Sequence, residues 1–492
     1  MYSIAAMRVG LLALLLWPAL ASPTPTIQSI VIQGQSRTRQ ETVRRELLFA
    51  LGEPLDSVKI AESERNLRRL LFLGRADIAV TQKGQQAHIS VTVEDLYARA
   101  FSILLSGDLQ ELNYGLTALD YNFLGRGQTL QLTLEHQAIS GNGATLAYQA
   151  PRLARTAGTL TATVGKSAEG HDLQAQWSRP FRSLADPWSY GLSLSSRQFN
   201  QRLYRAQALS SLYSDRLDAA SLWLTRSYGA QWKVRPSFRL GLSDRHFNPG
   251  SGYTYAPAER RRVLPRISLT LWRPNYEQSS YIHFLGRVED LQVGPWIIGQ
   301  IGLSHKQLGS DSNFLLHVLQ IVPHFKPTPR SFAFVTLTAS ARQNADGLYN
   351  FLTQAQLASY WQWGPVHRIA ARLRWESIHR PEDSSQFLLG LNTGLRGYGP
   401  RRFDGSRRFV AALEGRPLLY RHPAVVVAGA LFVENGAAWT PGQNRARLRW
   451  DMGIGARLGL PQVYNTPVLR ADLAYGFDDK RWYLSVGMGQ YF

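Results

Sequence analysis

Phe387 to Arg416 reads FLLGLNTGLRGYGPRRFDGSRRFVAALEGR. A Gly-rich tetrapeptide, Leu395-Arg396-Gly397-Tyr398, sits in a long polar loop, and an alternating segment then leads to an acid, Glu414. Glycines at 394, 397 and 399 permit backbone angles that other residues resist, so the loop can fold back on itself and hold Arg396 in place. An arginine held that way needs an acid partner, because an unpaired charge is costly wherever water is scarce. Two acids on later alternating segments are candidates, Glu414 and Glu434. The competing reading is an ordinary surface loop with a solvated arginine, and the flanking sequence weighs against it.

From Tyr97 to the C-terminus, short alternating segments recur between Gly, Pro, Asn, Asp and Ser. Thr129 to Glu135 puts three leucines on one face; Ile267 to Trp272, Ala371 to Glu376 and Trp482 to Met488 follow the same rule. Period-2 alternation gives each strand one apolar and one polar face. In a soluble sandwich the apolar faces meet inside. In a transmembrane barrel they meet lipid, and the polar faces line a lumen. Arg372, Arg374 and Glu376 share one polar face, as a wet lumen allows. Aromatics cluster at strand ends (Trp272, Tyr276, Tyr281; Tyr360, Trp361, Trp363), which suits interfacial girdles. Spanning strands need about 9–11 residues each, so residues 98–492 predict a barrel of about sixteen antiparallel strands. Eight strands would leave too much loop.

The N-terminus carries Arg8, an apolar run from Val9 to Trp17, and Ala19-Leu20-Ala21. This is the pattern of a cleaved signal peptide over residues 1–21, so the mature chain leaves the cytoplasm. A short linker, residues 22–26, follows. Residues 27–95 then read as one small α+β domain. A strand at Ile27 to Ile32 stops at Gly34; Glu41 to Leu51 has helical spacing; Asp56 can cap a second helix through Leu73. Ala76 to Thr81 and Ala87 to Glu94 form a hairpin around Lys83-Gly84, completing a β-α-α-β-β order.

Composition narrows the function classes. Lys and Arg number 55 against 35 Asp and Glu, a net charge of +20, but the basic residues are scattered and do not form runs. That pattern argues against nucleic acid. Cysteine is absent, which removes disulfides and thiolate metal sites. The 11 histidines are dispersed, with no paired metal spacing, and no G-x-S-x-G elbow occurs. No enzyme activity, metal or cofactor is expected. No internal apolar run is long enough for a spanning helix.

Taken together, the chain resembles the outer-membrane protein insertase and two-partner-secretion transporter superfamily, the BamA-like or bacterial surface antigen family. Residues 27–94 resemble a single POTRA (polypeptide-transport-associated) repeat. Asn122 to Gln128 resembles an early barrel hairpin, Leu395 to Tyr398 the signature of the sixth extracellular loop, and Leu431 to Trp439 a late strand whose acid faces the lumen. Asp451 to Arg457 and Leu469 to Tyr475 resemble the strands near closure, and Phe492 resembles the C-terminal aromatic of a barrel recognition signal.

The resemblance implies an outer-membrane barrel with the N-terminal domain in the periplasm. The loop, residues 380–410, would fold into the lumen and pin Arg396 on Glu414 and Glu434, with Tyr398 packed on the loop's own turn. The family's usual residue at the second acid is Asp, so Glu434 is a departure. One POTRA-like repeat, with too few residues before Ile27 for a plug helix, matches no well-defined branch. The implied function is non-enzymatic assembly, insertion or translocation of polypeptides. The implied partners are unfolded outer-membrane or secreted polypeptides, taken through the POTRA-like domain, together with outer-membrane lipid and accessory proteins. A passive outer-membrane pore or structural barrel is the rival reading.

Overall fold

The computed structural model describes residues 24–153, 156–461 and 467–492. The expected signal peptide, residues 1–21, lies outside the described residues. In the N-terminal domain, β1 (Thr26–Gln33), α1 (Gln40–Arg44), α2 (Ser57–Arg68), β2 (Leu73–Lys83) and β3 (Gln86–Asp95) follow in chain order. The sheet order is β1-β3-β2, with β1 parallel and β2 antiparallel to the central β3. Ile27, Val43, Leu47, Phe49, Leu67, Phe72, Ile89 and Val91 form the core. Asp56 caps α2, accepting from the Val58 N–H at 2.8 Å.

The first helix is shorter than its spacing predicts, because the chain after it serves β1. Ile27 N–H donates to Glu53 O (3.0 Å) and Gly52 N–H donates to Ile27 O (2.8 Å). This covers the start of the β1 edge. The outer edge of β2 has no strand partner among the described residues.

Residues 99–488 close into an antiparallel barrel of twenty strands, not sixteen. Two of the twenty are interrupted: Phe314–Pro323 and Phe325–Thr328 both pair with Ser331–Asn344, and Arg407–Arg416 and Leu418–Arg421 both pair with Val426–Trp439. The extra strands come from tight turns, where the residue count had allowed for long loops. Trp188–Arg205 and Ala208–Arg226 are 18 and 19 residues long, yet only Ala206 and Gln207 separate them, both at positive φ (49° and 74°). Such turns match the twist of the strands they join. Outward-facing residues are large and apolar: Leu132, Leu134, Leu192, Leu194, Ile267, Leu269, Ile301, Leu431 and Ile454 are all exposed. The middle of the wall thus carries an apolar outer band, of the kind that meets lipid.

Three turns at one end of the barrel hold the N-terminal domain. Arg39 N–H and the Thr42 hydroxyl both donate to Gly125 O, each at 3.0 Å, and Arg39 Nε donates to Leu124 O at 3.1 Å. Glycine is required at 125: φ is +71°, and a Cβ would lie 2.5 Å from Arg37 O. Arg152 pairs with Glu46 at 2.9 Å, and Arg182 donates to Arg45 O at 2.6 Å. The early hairpin turn is thus the peg on which the domain sits.

Between Arg260–Trp272 and Pro295–Ser304, at the same end, the chain makes a hairpin of two short strands, Tyr276–Ser280 and Val288–Gln292. Its tip folds into the barrel mouth. Ile282, Leu291 and Val293 pack on Phe332, Tyr360 and Ala370, while Tyr281 and Leu285 pack on Val426, Ala428 and Val468. The aromatic clusters therefore divide. Trp361 and Trp363 are exposed on the wall, but Tyr281 and Tyr360 are buried inside the mouth and belong to no girdle.

Candidate functional site

The loop after His367–His379 enters from the far end of the barrel and turns back along the inner wall. Its ends pair as a short ladder, Phe387–Leu389 with Phe403–Gly405. Leu389, Leu395, Tyr398 and Val410 make a small apolar cluster that seats it. Gly394 has φ +149°, but Gly397 and Gly399 do not have left-handed angles. Gly397 is needed for close approach: a Cβ there would lie 2.5 Å from the Asp451 Cβ and 2.9 Å from the Gly476 nitrogen. Glycine at 397 thus lets the loop backbone touch the wall.

Arg396 is fully buried. Its Nη1 bonds Glu414 at 2.8 Å, its Nε reaches Glu434 at 3.1 Å, and its own backbone N–H donates to the other Glu434 oxygen at 2.9 Å. Gly397 N–H donates to Asp451 at 3.1 Å. The guanidinium carbon lies 3.3 Å from the Phe432 ring centre and 4.2 Å from that of Tyr491. Tyr398 donates its hydroxyl to Trp450 O at 2.9 Å and packs on Phe403 at 5.3 Å between ring centres. The extra length of Glu434, relative to Asp, lets one carboxylate hold both the side chain and the backbone of Arg396.

Around this pin lies a larger network that the loop sequence does not reveal. Asp472 accepts from Arg457 at 2.7 Å and from Arg470 at 3.0 Å, and stands 3.4 Å from Arg396. Glu414 also meets Arg457 at 3.3 Å and Arg416 at 2.8 Å. Glu434 and Asp451 are cross-strand partners of like charge. The Arg396 guanidinium and two loop N–H groups offset their repulsion. A signal was available in Asp451-x-Gly453-x-Gly455-x-Arg457, where alternation puts both charges and both small residues on the inner face.

Arg416 joins the pin to the mouth. Its Nη2 donates to Phe492 O at 2.9 Å and its Nη1 to Ile282 O at 3.4 Å, so one guanidinium touches Glu414, the chain end and the hairpin tip. The last strand is Arg481–Met488, not the full segment to Phe492. Gly489, at φ +80°, turns the tail inward. Tyr491 then donates to Leu391 O at 2.8 Å, and Phe492 packs beside Ile282.

Closure of the barrel is uneven. The last strand pairs with Leu469–Gly476 along its whole length, but with the first strand, Arg99–Asp108, only through Ser485↔Asp108 and Val486↔Gly107. Most of that seam is edge backbone without a ladder partner.

The POTRA family model (surface antigen variable number repeat) matches residues 25–94. Those residues are a POTRA domain. The match falls where the sequence resemblance places the POTRA repeat. Among solved structures, the chain is similar to CdiB from Acinetobacter baumannii, at 14% identity over 95% of this chain and 74% of that one, with a TM-score of 0.48. CdiB from Escherichia coli gives 12% identity over 95% and 77%, with a TM-score of 0.48. BamA from Haemophilus ducreyi lacking POTRA domains 1–3 gives 13% over 95% and 85%, with a TM-score of 0.46. No curated protein matches the chain.

Proposed function

We propose that this protein sits in an outer membrane with its POTRA domain in the periplasm, and that it inserts or translocates polypeptides without chemical catalysis. The carrying observation is the seam: two paired positions between first and last strands, where the other neighbouring strands share seven or more. An unpaired strand edge is a template for another strand. A client segment would first add to the open β2 edge of the POTRA domain by β-augmentation, where backbone bonds give affinity without demanding one sequence. It would then meet the seam, where the wall loses least by opening. Arg396, with Glu414 and Glu434, holds the loop as a fixed inner buttress behind that seam. Phe492 would act earlier, as part of the C-terminal signal by which the chain itself is recognised for assembly.

A passive pore is the second reading. It is less favoured because the lumen is crossed twice, by the Arg396 loop from the far end and by the 276–292 hairpin at the POTRA end. The experiment is site-specific photo-crosslinking in cells from Ala79, an exposed position on β2. Capture of extended barrel precursors or secreted polypeptides, lost when proline at Val80 or Ile78 breaks the edge, is the expected result. Absence of any captured polypeptide, with the domain folded, would favour the pore.

A further inference from the structure

Most inward arginines of this barrel have an acid. Arg396, Arg457 and Arg470 share Glu414, Glu434 and Asp472, and Arg260, Arg262 and Arg342 converge on Glu382. Arg239 and Arg266 are different. They are direct cross-strand partners in the pairing of Lys233–Pro249 with Arg260–Trp272, on the inner face, and neither has a carboxylate partner among the described residues. Like charges directly opposite on a sheet are destabilising. Such a pair calls for an anion between its members.

The local geometry leaves room for one. Arg239 leans towards the neighbouring strand, where its guanidinium lies 4.9 Å from the Trp223 ring centre and its Nη1 donates to the Ser221 hydroxyl at 3.2 Å; Ser221 is hydrogen-bonded to Ser193 at 2.9 Å. Arg266 reaches the same level from the other side: its Nη2 stands 3.4 Å from where a Cβ of Gly241 would be. Gly241 is the register partner of both Ser221 and Leu264, so the Arg266 guanidinium stands over a residue with no side chain. The Arg266 Nε is buried without a partner. A cavity of about 290 Å³ opens over Gly241 beside Arg266, with Ser193, Ser221 and Ser243 on its polar side and Leu264, Phe314 and Leu316 on its apolar side; Arg239 stands behind Ser221.

We infer that this cradle binds a phosphate group. The Arg266 guanidinium and the hydroxyls of Ser193, Ser221 and Ser243 line the cavity, with the charge of Arg239 behind Ser221, which suits a tetrahedral oxyanion better than a flat carboxylate. A carboxylate is satisfied by the fork of a single arginine. The phosphate would belong either to a free anion or to a lipid headgroup. The site is separate from the Arg396 pin and does not depend on polypeptide transport.

The test uses the full mature chain, folded in zwitterionic micelles and checked by heat-modifiable migration. Calorimetric titration with inorganic pyrophosphate, and with short-chain phosphatidate in the micelle, distinguishes the two sources. Saturable binding of either is expected. It should weaken at least about tenfold in Arg239→Gln/Arg266→Gln, since a bond to a charged group is worth that much. Gly241→Val, which fills the gap but keeps both charges, should weaken it as well, whereas Arg75→Gln on the exposed surface of the POTRA domain should not. Equal affinity in the wild type and the double glutamine variant would overturn the proposal. So would equal loss in Arg75→Gln, or binding of hexaglutamate with the same arginine dependence and none of pyrophosphate.

Discussion

Arg396 works as a clamp because its Nε, its Nη1 and its own backbone N–H all meet carboxylates in a dry place. Removing one member of a buried pair leaves the other charged and unsolvated, at a cost of about 3–5 kcal/mol. A wet lumen would soften that figure, but Arg396, Glu414, Arg457 and Asp472 are all fully buried. Arg396→Ala should therefore release the loop, read as new trypsin cleavage at Arg401 or Arg402 in the folded barrel. Arg396→Lys should rescue little, because a point charge cannot serve two carboxylates and stack on Phe432 at once. Glu434→Ala should resemble Arg396→Ala, and the double change should cost less than the sum of the two. Additive effects, with the loop still protected in each single variant, would show that the pin is not a unit.

A second residue-scale case is Asp95 in the POTRA domain. Burial opposes its ionisation, but the Thr38 hydroxyl and the N–H groups of Arg37, Thr38 and Ser36 outweigh it and hold the carboxyl below its ordinary value of 3.8. Because the folded value is the lower one, the stabilisation is fully present above about pH 4 and is lost as pH falls through the folded value. Urea titrations of the POTRA segment should show Asp95→Asn less stable than the parent at pH 7, by about 1 kcal/mol, because bonds to a charged group are weakened where water screens them. The difference should shrink in acid. A gap that stays constant with pH would mean that the charge is irrelevant.

At the scale of elements, the hairpin over 276–292 and the C-terminal tail form a stopper for the POTRA end of the barrel. Glu289 caps the hairpin tip by accepting from the Ile282, His283 and Phe284 N–H groups, at 3.0–3.2 Å, so the tip is preformed. Arg368 holds Ser280 O at 2.7 Å, and Arg287 holds Pro461 O at 2.8 Å. Replacing 276–292 by a short turn should convert a quiet protein into a steady, large conductance in planar bilayers. An unchanged conductance would mean that the Arg396 loop alone closes the lumen. None of this element was legible in the sequence. Tyr276 and Tyr281 have the composition of an interfacial girdle, and periodicity cannot say which side of a wall a strand-end aromatic faces. The POTRA strands were legible because their alternation is clean. The shortening of α1 was not, since it depends on bonds to β1 from residues more than twenty positions away.

For the whole molecule, the barrel class followed from alternation, but the strand number did not. Two-residue turns such as Ala206-Gln207 lack glycine, so residues counted as loop are in fact ladder. Arg396 could be matched to Glu414 and Glu434 because the loop and both acids lie within one short stretch of chain. Asp451, Arg457 and Asp472 lie in stretches that read only as strands near closure, because only the closed barrel brings them to the loop. The resulting molecule has a rigid clamped wall on one side of its seam and a weak ladder at the seam itself, with the lumen stoppered from both ends. On the function proposed, the wall, and not the lumen, is where a client strand would enter.

The most direct measurement locks that wall. The chain has no cysteine, so Asp108→Cys with Ser485→Cys places a single disulfide across the seam. Assembly or export of client polypeptides is followed in cells in which this variant is the only copy. The account predicts loss of client handling when the bond is oxidised, recovery on reduction, and no loss in either single cysteine variant. Full activity with the seam quantitatively crosslinked would contradict it.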